Sequence, residues 1–336
     1  MWMLDNKTPY EAERTWVRDK DGVHQWIVVV KATYDIATDG TLTLSESPVE
    51  PLHAPEYTGE PGNSSLRYEA DLVGMKPGTD VYLNAIAYSP KGKPCEQVEV
   101  TCRVGGILKE LVVYGERTWR KNFLRDIAPS SPQSFLMVPI TYERAYGGID
   151  QEPPDPKNHC IHFWNPVGTG AIYEKRDLVG RPAPQVEFAT SARGREWPAG
   201  FGAIASYWSP RKEYAGTYDE KWDAQRKPLL PGDYDSKWLL CAPPDQQVMG
   251  FLSGGEPVEL KNLTASGRLQ FSLPKVSLQF ETYFGADRRE HTGKLVSVII
   301  ESEGSRLIMV WQTSLEVKHD GEYLDKTVIQ QTGEMQ

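Results

Sequence analysis

The chain reads QWIVVVKATYD at residues 25–35, a stretch in which two sets of side chains alternate. One set begins at Trp26 and the other at Ile27, and both are largely apolar. A repeat of two is the side-chain period of a β-strand, so this stretch predicts a strand. Asp39-Gly40 then favours a tight turn into a second strand at residues 41–44, which completes a hairpin.

The same alternation recurs on both sides of the middle of the chain. Before residue 125 it predicts strands at 66–73, 81–88, 97–104 and 108–114, with the first two joined as a hairpin through the turn at 76–80. Many short strands with Gly and Pro turns are typical of an antiparallel sandwich, so residues 1–125 are predicted to form an N-terminal β module. Residues 257–322 predict further strands at 258–263, 268–273, 276–280, 295–300 and 307–311, and the tail 323–336 is expected to be frayed.

Residues 126–256 have a different composition, since they hold more than half of the 25 prolines and half of the 10 tryptophans. Proline lacks an amide donor and fixes φ, which disfavours long regular elements. We therefore expect ordered loops with a few short helices, packed on the C-terminal strands. One helix is predicted between a capping box at Thr217 and Glu220 and a stop at Pro228, and another after Pro243. The predicted fold is all-β: two antiparallel sandwich-like modules bridged by a proline- and tryptophan-rich loop region.

Charge and hydropathy indicate which partners to expect. The formal net charge of −9 repels phosphate backbones, so nucleic acid is not an expected partner. No apolar run approaches the roughly 18 residues of a membrane helix, so membrane insertion is not expected. The N-terminus lacks a cationic start followed by an apolar stretch, and the four cysteines form no CxxC pair. These features predict a cytoplasmic protein with reduced thiols.

Sequence motifs for catalysis or cofactor binding are sparse. The chain has no GxxxxGK[ST] phosphate loop, no GxSxG elbow and no HExxH metal motif. His159, Cys160 and His162 form the one metal-like cluster, but no second pair of ligands accompanies them, so a loop with hydrogen-bonded histidines is the preferred interpretation. We expect no cofactor, no metal and no catalytic residues.

The best alternative is a carbohydrate-active enzyme or a lectin. Aromatic platforms beside paired carboxylates are what a glycosidase needs. Tryptophans and acidic residues of this kind are interspersed in the loop region: Trp197, Trp208, Trp222 and Trp238, with Glu196, Asp219, Glu220, Asp223, Asp233 and Asp235. Against this, aromatic residues in such loops usually form a core, and acidic residues at helix starts usually act as caps. Trp222 is expected to be such a core residue.

A series of short blocks, in order along the chain, resembles one family. The blocks are KATY at 31–34, Asp71 followed by KPGTDV at 76–81, YGERTW at 114–119, YERAYGG at 142–148, NPVG at 165–168, PAGFG at 198–202, WSPR at 208–211, GTYD at 216–219, DYD at 233–235, DQQ at 245–247, GE at 255–256 and LP at 273–274. The chain is similar to the domain-of-unknown-function family encoded beside type VI secretion effectors in Gram-negative bacteria. Near the C-terminus it departs from the family pattern, with Val296-Ser297 and Gln312 at positions where the family tends to carry Asp-Thr and arginine.

Members of that family are thought to be effector-loading adaptors or chaperones. The resemblance therefore implies that this chain binds a secreted effector protein, through the effector's N-terminal region, and delivers it to spike proteins of the secretion apparatus. A structural subunit of the injection machinery is a third alternative. The family implies no catalytic residues. Candidates for partner contact, taken from the matching blocks, are Tyr142, Arg144, Tyr146, Phe201, Trp208, Arg211, Tyr218, Asp219 and Gln246.

Overall fold

The computed structural model describes residues 2–121, 126–190, 196–317 and 323–332. Its strands, numbered along the chain, are β1 (Met3–Asn6), β2 (Glu11–Arg18), β3 (His24–Ile36), β4 (Leu42–Leu44), β5 (Glu56–Tyr57), β6 (Leu66–Tyr68), β7 (Gly78–Tyr88), β8 (Gln97–Val104), β9 (Ile107–Tyr114), β10 (Trp119–Lys121), β11 (Ile127–Pro129), β12 (Met137–Ile140), β13 (Tyr146–Gly147), β14 (Ile149–Asp150), β15 (Cys160–Ile161), β16 (Thr169–Gly170), β17 (Val186–Phe188), β18 (Gln247–Met249), β19 (Pro257–Lys261), β20 (Arg268–Ser272), β21 (Leu278–Phe284), β22 (Asp287–Thr292), β23 (Lys294–Glu301), β24 (Arg306–Glu316) and β25 (Lys326–Gln331).

Helices are short. The α-helices are α1 (Arg211–Tyr214) and α2 (Glu220–Gln225), and 3₁₀ turns occur at Pro90–Gly92, Tyr142–Arg144, Pro156–Asn158, Lys175–Leu178, Ser236–Leu239 and Pro244–Gln246. Strand accounts for 44% of the chain and helix for 9%, which confirms the predicted all-β class. Within the described residues, no helix has the length and apolar character needed to cross a membrane.

Three larger sheets carry the fold. The eight-stranded sheet has the order β12-β7-β23-β24-β3-β2, with β18 also paired to β7 and β4 to β3. The five-stranded sheet has the order β17-β9-β8-β19-β20, and the four-stranded sheet has the order β1-β25-β21-β22. Short two-stranded pairs, β5-β6, β10-β11, β13-β16 and β14-β15, occur in the connecting regions. Most pairings are antiparallel, but three are parallel: β7 with β23, β1 with β25 and β13 with β16.

The alternation in β3 places its side chains in two different cores. Trp26 and Val28 belong to one core, which is shared with the five- and four-stranded sheets. Ile27 and Val29 belong to the other, which lies beneath the proline-rich loops and includes Trp208. The eight-stranded sheet is therefore covered on both faces, by the other sheets on one side and by loops on the other.

The predicted boundaries at residues 125 and 257 do not divide the sheets. β3 from the N-terminal part pairs with β24, and β8 pairs with β19, so early and late strands alternate within the same two sheets. The reason is that each early hairpin leaves an edge strand with unpaired backbone groups, and the late strands pair with those edges. The two sets of strands form interleaved sheets rather than separate modules.

Several of the local predictions were correct. The hairpin between β3 and β4 forms where it was predicted, and β8, β9, β23 and β24 lie at predicted strands, with β8 paired to β9 and β23 paired to β24. The 3₁₀ turn at Pro244–Gln246 lies where the second short helix was expected.

The predicted strand at 66–73 is wrong beyond Tyr68, and β6 pairs with β5 rather than with β7. Asp71 explains the difference. Its carboxylate accepts a hydrogen bond from the buried Lys31 Nζ at 2.7 Å and from the Leu52 amide at 2.9 Å. A charge buried this deeply needs a partner, so the segment turns inward as a loop to supply one.

Two further predictions need correction. The cap of α2 is Asp219, whose Oδ1 accepts from the Trp222 amide at 2.8 Å, whereas Thr217 hydrogen-bonds to Asp233. The tail is not frayed over its described part, because β25 is an inner strand of the four-stranded sheet and buries Thr327 and Ile329 completely. Residues 333–336 of that predicted tail lie outside the described residues.

Candidate functional site

A buried ion pair holds the loops to the eight-stranded sheet. Lys76 Nζ lies 2.8 Å from Asp80 Oδ2 and 3.0 Å from Ser297 Oγ. The Asp80 carboxylate also accepts the amides of Cys241 and Ala242 at 3.0 and 2.9 Å. Burial favours a lower pKa for Lys76, but the Asp80 carboxylate and the other acidic groups nearby outweigh it, so the pKa is raised. The KPGTD block thus fixes the 241–242 loop on β7.

Gln246 joins two loops to the same strand. Its Nε2 donates to the carbonyls of Val81 and Phe201 at 2.7 and 3.0 Å, and its Oε1 accepts from Lys109 Nζ at 2.8 Å. Lys109 also pairs with Asp245 at 3.0 Å. Gln246 is 1% exposed and Phe201 is fully buried, so both stabilise the loops and neither is placed for the direct partner contact that the sequence suggested.

Arg211 has a similar role. Its Nη1 lies 2.6 Å from Glu69 Oε2 and 2.6 Å from the Ile204 carbonyl, and its Nε donates to the Trp238 carbonyl at 3.0 Å. Arg211 is 3% exposed and Trp208 is fully buried. Their predicted role in direct partner contact is therefore corrected, because these side chains satisfy buried carbonyls and fill the second core.

Tyr142 packs against the loops that Gln246 and Arg211 hold in place. Its hydroxyl donates to the Gly202 carbonyl at 3.1 Å, and its ring meets Trp208 edge-on at 5.4 Å. Asn165 Nδ2 donates to the carbonyls of Tyr142 and Tyr146 at 2.8 and 3.0 Å, which fixes the turn that follows. The blocks at 142–148 and 165–168 are thus held together by one amide side chain.

An aromatic pocket of about 460 Å³ opens above these residues. We define it by Tyr142, Trp164, Phe188 and Trp197, with the Lys109–Asp245 pair and the prolines at 198, 243 and 244 also in its lining. The rings of Trp164 and Trp197 pack at 4.6 Å between centroids, and Lys109 Nζ lies 5.6 Å from the Phe188 centroid. A largely apolar concavity with a few fixed polar groups is the usual form of a binding site.

The other predicted site residues lie elsewhere. Arg144 lines a separate polar groove, and Tyr146 lines a smaller pocket near Trp119. Tyr218 is 54% exposed and stacks edge-on against Trp222 at 4.7 Å, next to the helix cap Asp219. The nine predicted residues therefore do not form one site.

Sequence reasoning missed Lys109, Trp164 and Phe188, which help to form the aromatic pocket. Trp164 directly precedes the NPVG block, and Phe188 ends β17. The position of Trp164 beside a matching block was the one available signal. For Lys109 and Phe188 the sequence offers none, because their proximity depends on how the sheets pair.

The tryptophans and carboxylates of the carbohydrate alternative do not all lie in one pocket. Trp197 lines the aromatic pocket, whereas Trp238 lines a different groove with Asp233 and Asp235. The Asp233 carboxylate accepts hydrogen bonds from the amide and hydroxyl of Thr217, and Asp235 caps the 3₁₀ turn at Ser236–Leu239. The two carboxylates that lie beside Trp238 in this groove are thus both engaged in local hydrogen bonds.

The predicted metal-like cluster is dispersed. His159 Nε2 lies 3.0 Å from the Pro153 carbonyl, and Cys160 pairs across the hairpin with Asp150. Burial lowers the pKa of His162, whose ring meets Tyr146 edge-on at 5.3 Å. Within the described part of the chain, no group of three His, Cys, Asp or Glu side chains is placed to hold a metal ion.

Comparison with known proteins places the chain in a family. No curated protein and no solved structure is significantly similar to it. A family model described as "uncharacterized protein conserved in bacteria" matches residues 21–312, a range that includes every block quoted above and every residue of the aromatic pocket. The chain therefore belongs to this conserved bacterial family, DUF2169.

Proposed function

We propose that this protein is a cytoplasmic adaptor that binds a type VI secretion effector, through the effector's N-terminal region, and helps to load it onto the spike. The resemblance of the ordered blocks supports the link to effectors. The aromatic pocket is the observation that carries the binding role, because Trp and Tyr side chains dominate the energetically important contacts of protein interfaces.

The pocket is prepared for binding before a partner arrives. Gln246 and the Lys109–Asp245 pair fix its floor, and Asn165 fixes the turn that carries Trp164. Side chains that are already ordered lose little conformational entropy when a partner binds. An apolar side chain of the effector, placed against the two tryptophan rings, would therefore bind with a small ordering cost.

Further exposed apolar side chains lie close to Trp164 in the chain or pair with residues that do. Phe163, next to Trp164 in the chain, is 56% exposed. Ile149 and Ile161 pair across the β14–β15 hairpin and are 52% and 38% exposed. The apolar side chains of this hairpin face solvent while Asp150 is buried, which is the reverse of the usual arrangement. Exposed apolar groups that are clustered in this way are typical of interaction surfaces.

Handover would follow from competing affinities. If the spike binds the effector more tightly than the adaptor does, a difference of a few kcal/mol is sufficient to shift the effector almost completely. The adaptor is then expected to bind with moderate affinity and to release without a chemical step.

The test uses the effector encoded beside this protein, co-expressed with wild-type adaptor or with the double variant Trp164→Ala/Trp197→Ala. Both tryptophans are half-buried, so the variant should stay folded by circular dichroism, and loss of two central aromatic contacts should weaken the complex by at least about tenfold. Trp222→Ala, a half-buried tryptophan outside the pocket, is the matched control. The proposal fails if the effector is equally soluble and equally secreted when the adaptor is deleted. If the double variant binds the effector as tightly as wild type does, the aromatic pocket is not the binding site.

A further inference from the structure

A second concave site lies apart from the aromatic pocket. It has a volume of about 860 Å³ and is bordered by residues around β10, β12 and the 3₁₀ turn at Tyr142–Arg144. We call it the arginine groove, since Arg120 and Arg144 lie in its lining. Hydroxyl side chains make up much of the remainder: Thr58, Thr118, Ser130, Ser131, Thr141 and Thr169.

Arg144 is held in place by a neutral partner. Its Nη1 donates to Gln185 Oε1. Gln185 is itself fixed, because its amide donates to the Arg144 carbonyl at 2.7 Å and its Nε2 donates to the Tyr114 carbonyl at 3.2 Å. Among the described residues no carboxylate lies within ion-pair distance of Arg144. The half-buried guanidinium of Arg144 therefore has N–H donors that are not bonded to a carboxylate of the described residues.

Arg120 is the second such group. It is exposed, and its Nε lies 3.4 Å from Thr118 Oγ1. In the part of the chain that the structure describes it too has no carboxylate partner. The third arginine of the lining, Arg117, differs sharply, because it is buried, pairs with Glu187 and donates to the Pro184 carbonyl.

The two carboxylates in the lining do not neutralise these arginines. The Glu143 carboxylate accepts hydrogen bonds from the backbone amide of Ser65 at 2.6 Å and from the Ser65 hydroxyl at 2.7 Å. Thr58 Oγ1 lies 3.3 Å from the same carboxylate. Glu116 is exposed and makes no ion pair within the described ranges. Among the described residues, Arg120 and Arg144 thus have no carboxylate partner in this concavity, although the chain carries a net charge of −9.

We propose that the arginine groove binds an extended, carboxylate-rich segment of a partner protein, with Arg120 and Arg144 each receiving a carboxylate. The planar guanidinium matches a carboxylate in a two-point hydrogen bond, and such charge-assisted bonds are about twice as strong as neutral ones. The hydroxyl lining supplies further donors to the same segment. This inference deepens the proposed function, on which it rests only for the assumption that the ligand is part of a protein.

The experiment measures fluorescence anisotropy of a fluorescein-labelled hexaglutamate peptide titrated with the full-length protein, and hexalysine serves as the peptide of opposite charge. Saturable binding of hexaglutamate alone is expected, and it should weaken as salt is raised. Arg144→Gln and Arg120→Gln should each weaken binding about tenfold, whereas Arg144→Lys, which keeps the charge, should retain part of the affinity. Arg103→Gln, an exposed arginine on β8 outside the groove, is the control with the same change of charge.

Hexaglutamate that fails to bind, or that binds the Arg120→Gln/Arg144→Gln double variant as well as wild type, overturns the inference. Tighter binding of a single-stranded oligonucleotide through the same arginines would also overturn it, because the ligand class would be wrong. The peptide assay needs no effector, so its failure is distinct from failure of the adaptor proposal, which the co-expression experiment decides.

Discussion

Lowering the pH from about 7 to about 4 is expected to destabilise this protein through His291 on β22. The ring Nδ1 lies 2.7 Å from Thr313 Oγ1 on β24, and Nε2 lies 2.8 Å from Thr282 Oγ1 on β21. The Thr282 hydroxyl lies 2.8 Å from that of Thr327 on β25, which in turn accepts from Trp26 Nε1 at 2.9 Å. This chain of hydrogen bonds connects the four-stranded and eight-stranded sheets.

Burial lowers the pKa of His291 from 6.5 to about 4. The unfolded chain therefore binds a proton more readily than the folded one. The contribution of His291 to the free energy of unfolding is fully present above about pH 6.5. It decreases as the pH falls from there and stops decreasing below about pH 4. The difference between the two pKa values corresponds to at most about 3 kcal/mol, and rearrangement of the half-buried ring would reduce it.

The assay is urea unfolding at pH 7, 5.5 and 4, with His291→Gln as the comparison. Glutamine keeps a donor and an acceptor at this position but does not titrate. Wild type should lose up to about 3 kcal/mol more than the variant between pH 7 and pH 4. His162, whose pKa burial also lowers, contributes equally to both proteins and cancels in the difference. Equal losses in the two proteins would show that His291 does not couple protonation to unfolding.

Three further results are expected. Asp80→Asn should cost roughly 3–5 kcal/mol in thermal unfolding, since it leaves the buried Lys76 charge without its partner; an unchanged Tm would contradict the role assigned to this pair. Trp208→Ala should also cost roughly 3–5 kcal/mol, and Trp222→Ala only about 2 kcal/mol, because the former is fully buried and the latter half-buried; equal losses would refute that ranking. Deleting residues 325–336 should leave the protein insoluble or lower its Tm markedly, and normal unfolding would mean that β25 is dispensable.

Sequence alternation was sufficient for the local elements of the fold. β3, β8, β9, β23 and β24 lie where period-two patterns predicted strands. The pairing of β7 with β23 was not predictable in this way, because alternation records which faces are buried and does not identify the neighbouring strand. The error at β25 came from judging a short, partly polar segment by its position in the chain.

The site was harder to predict for a different reason. Arginine and tryptophan are enriched at interfaces. In the interior of a loop-rich region, however, arginine also donates hydrogen bonds to buried carbonyls and tryptophan packs in the core. Arg211 and Trp208 do the latter. Sequence blocks identify residues that matter to the family, and they do not report whether a side chain is exposed. Trp164 and Phe188, which lie outside or beside those blocks, line the aromatic pocket instead.

The interleaving of early and late strands has a consequence for synthesis of this protein. β3 and β7 emerge from the ribosome well before β24 and β23, their partners in the eight-stranded sheet. At about 5–20 residues per second, the apolar edge of β3 waits on the order of tens of seconds for β24. Long-range pairing of this kind also folds slowly. The nascent chain therefore exposes aggregation-prone strand edges for longer than a protein built from consecutive hairpins, and its yield should depend on holding chaperones and growth temperature.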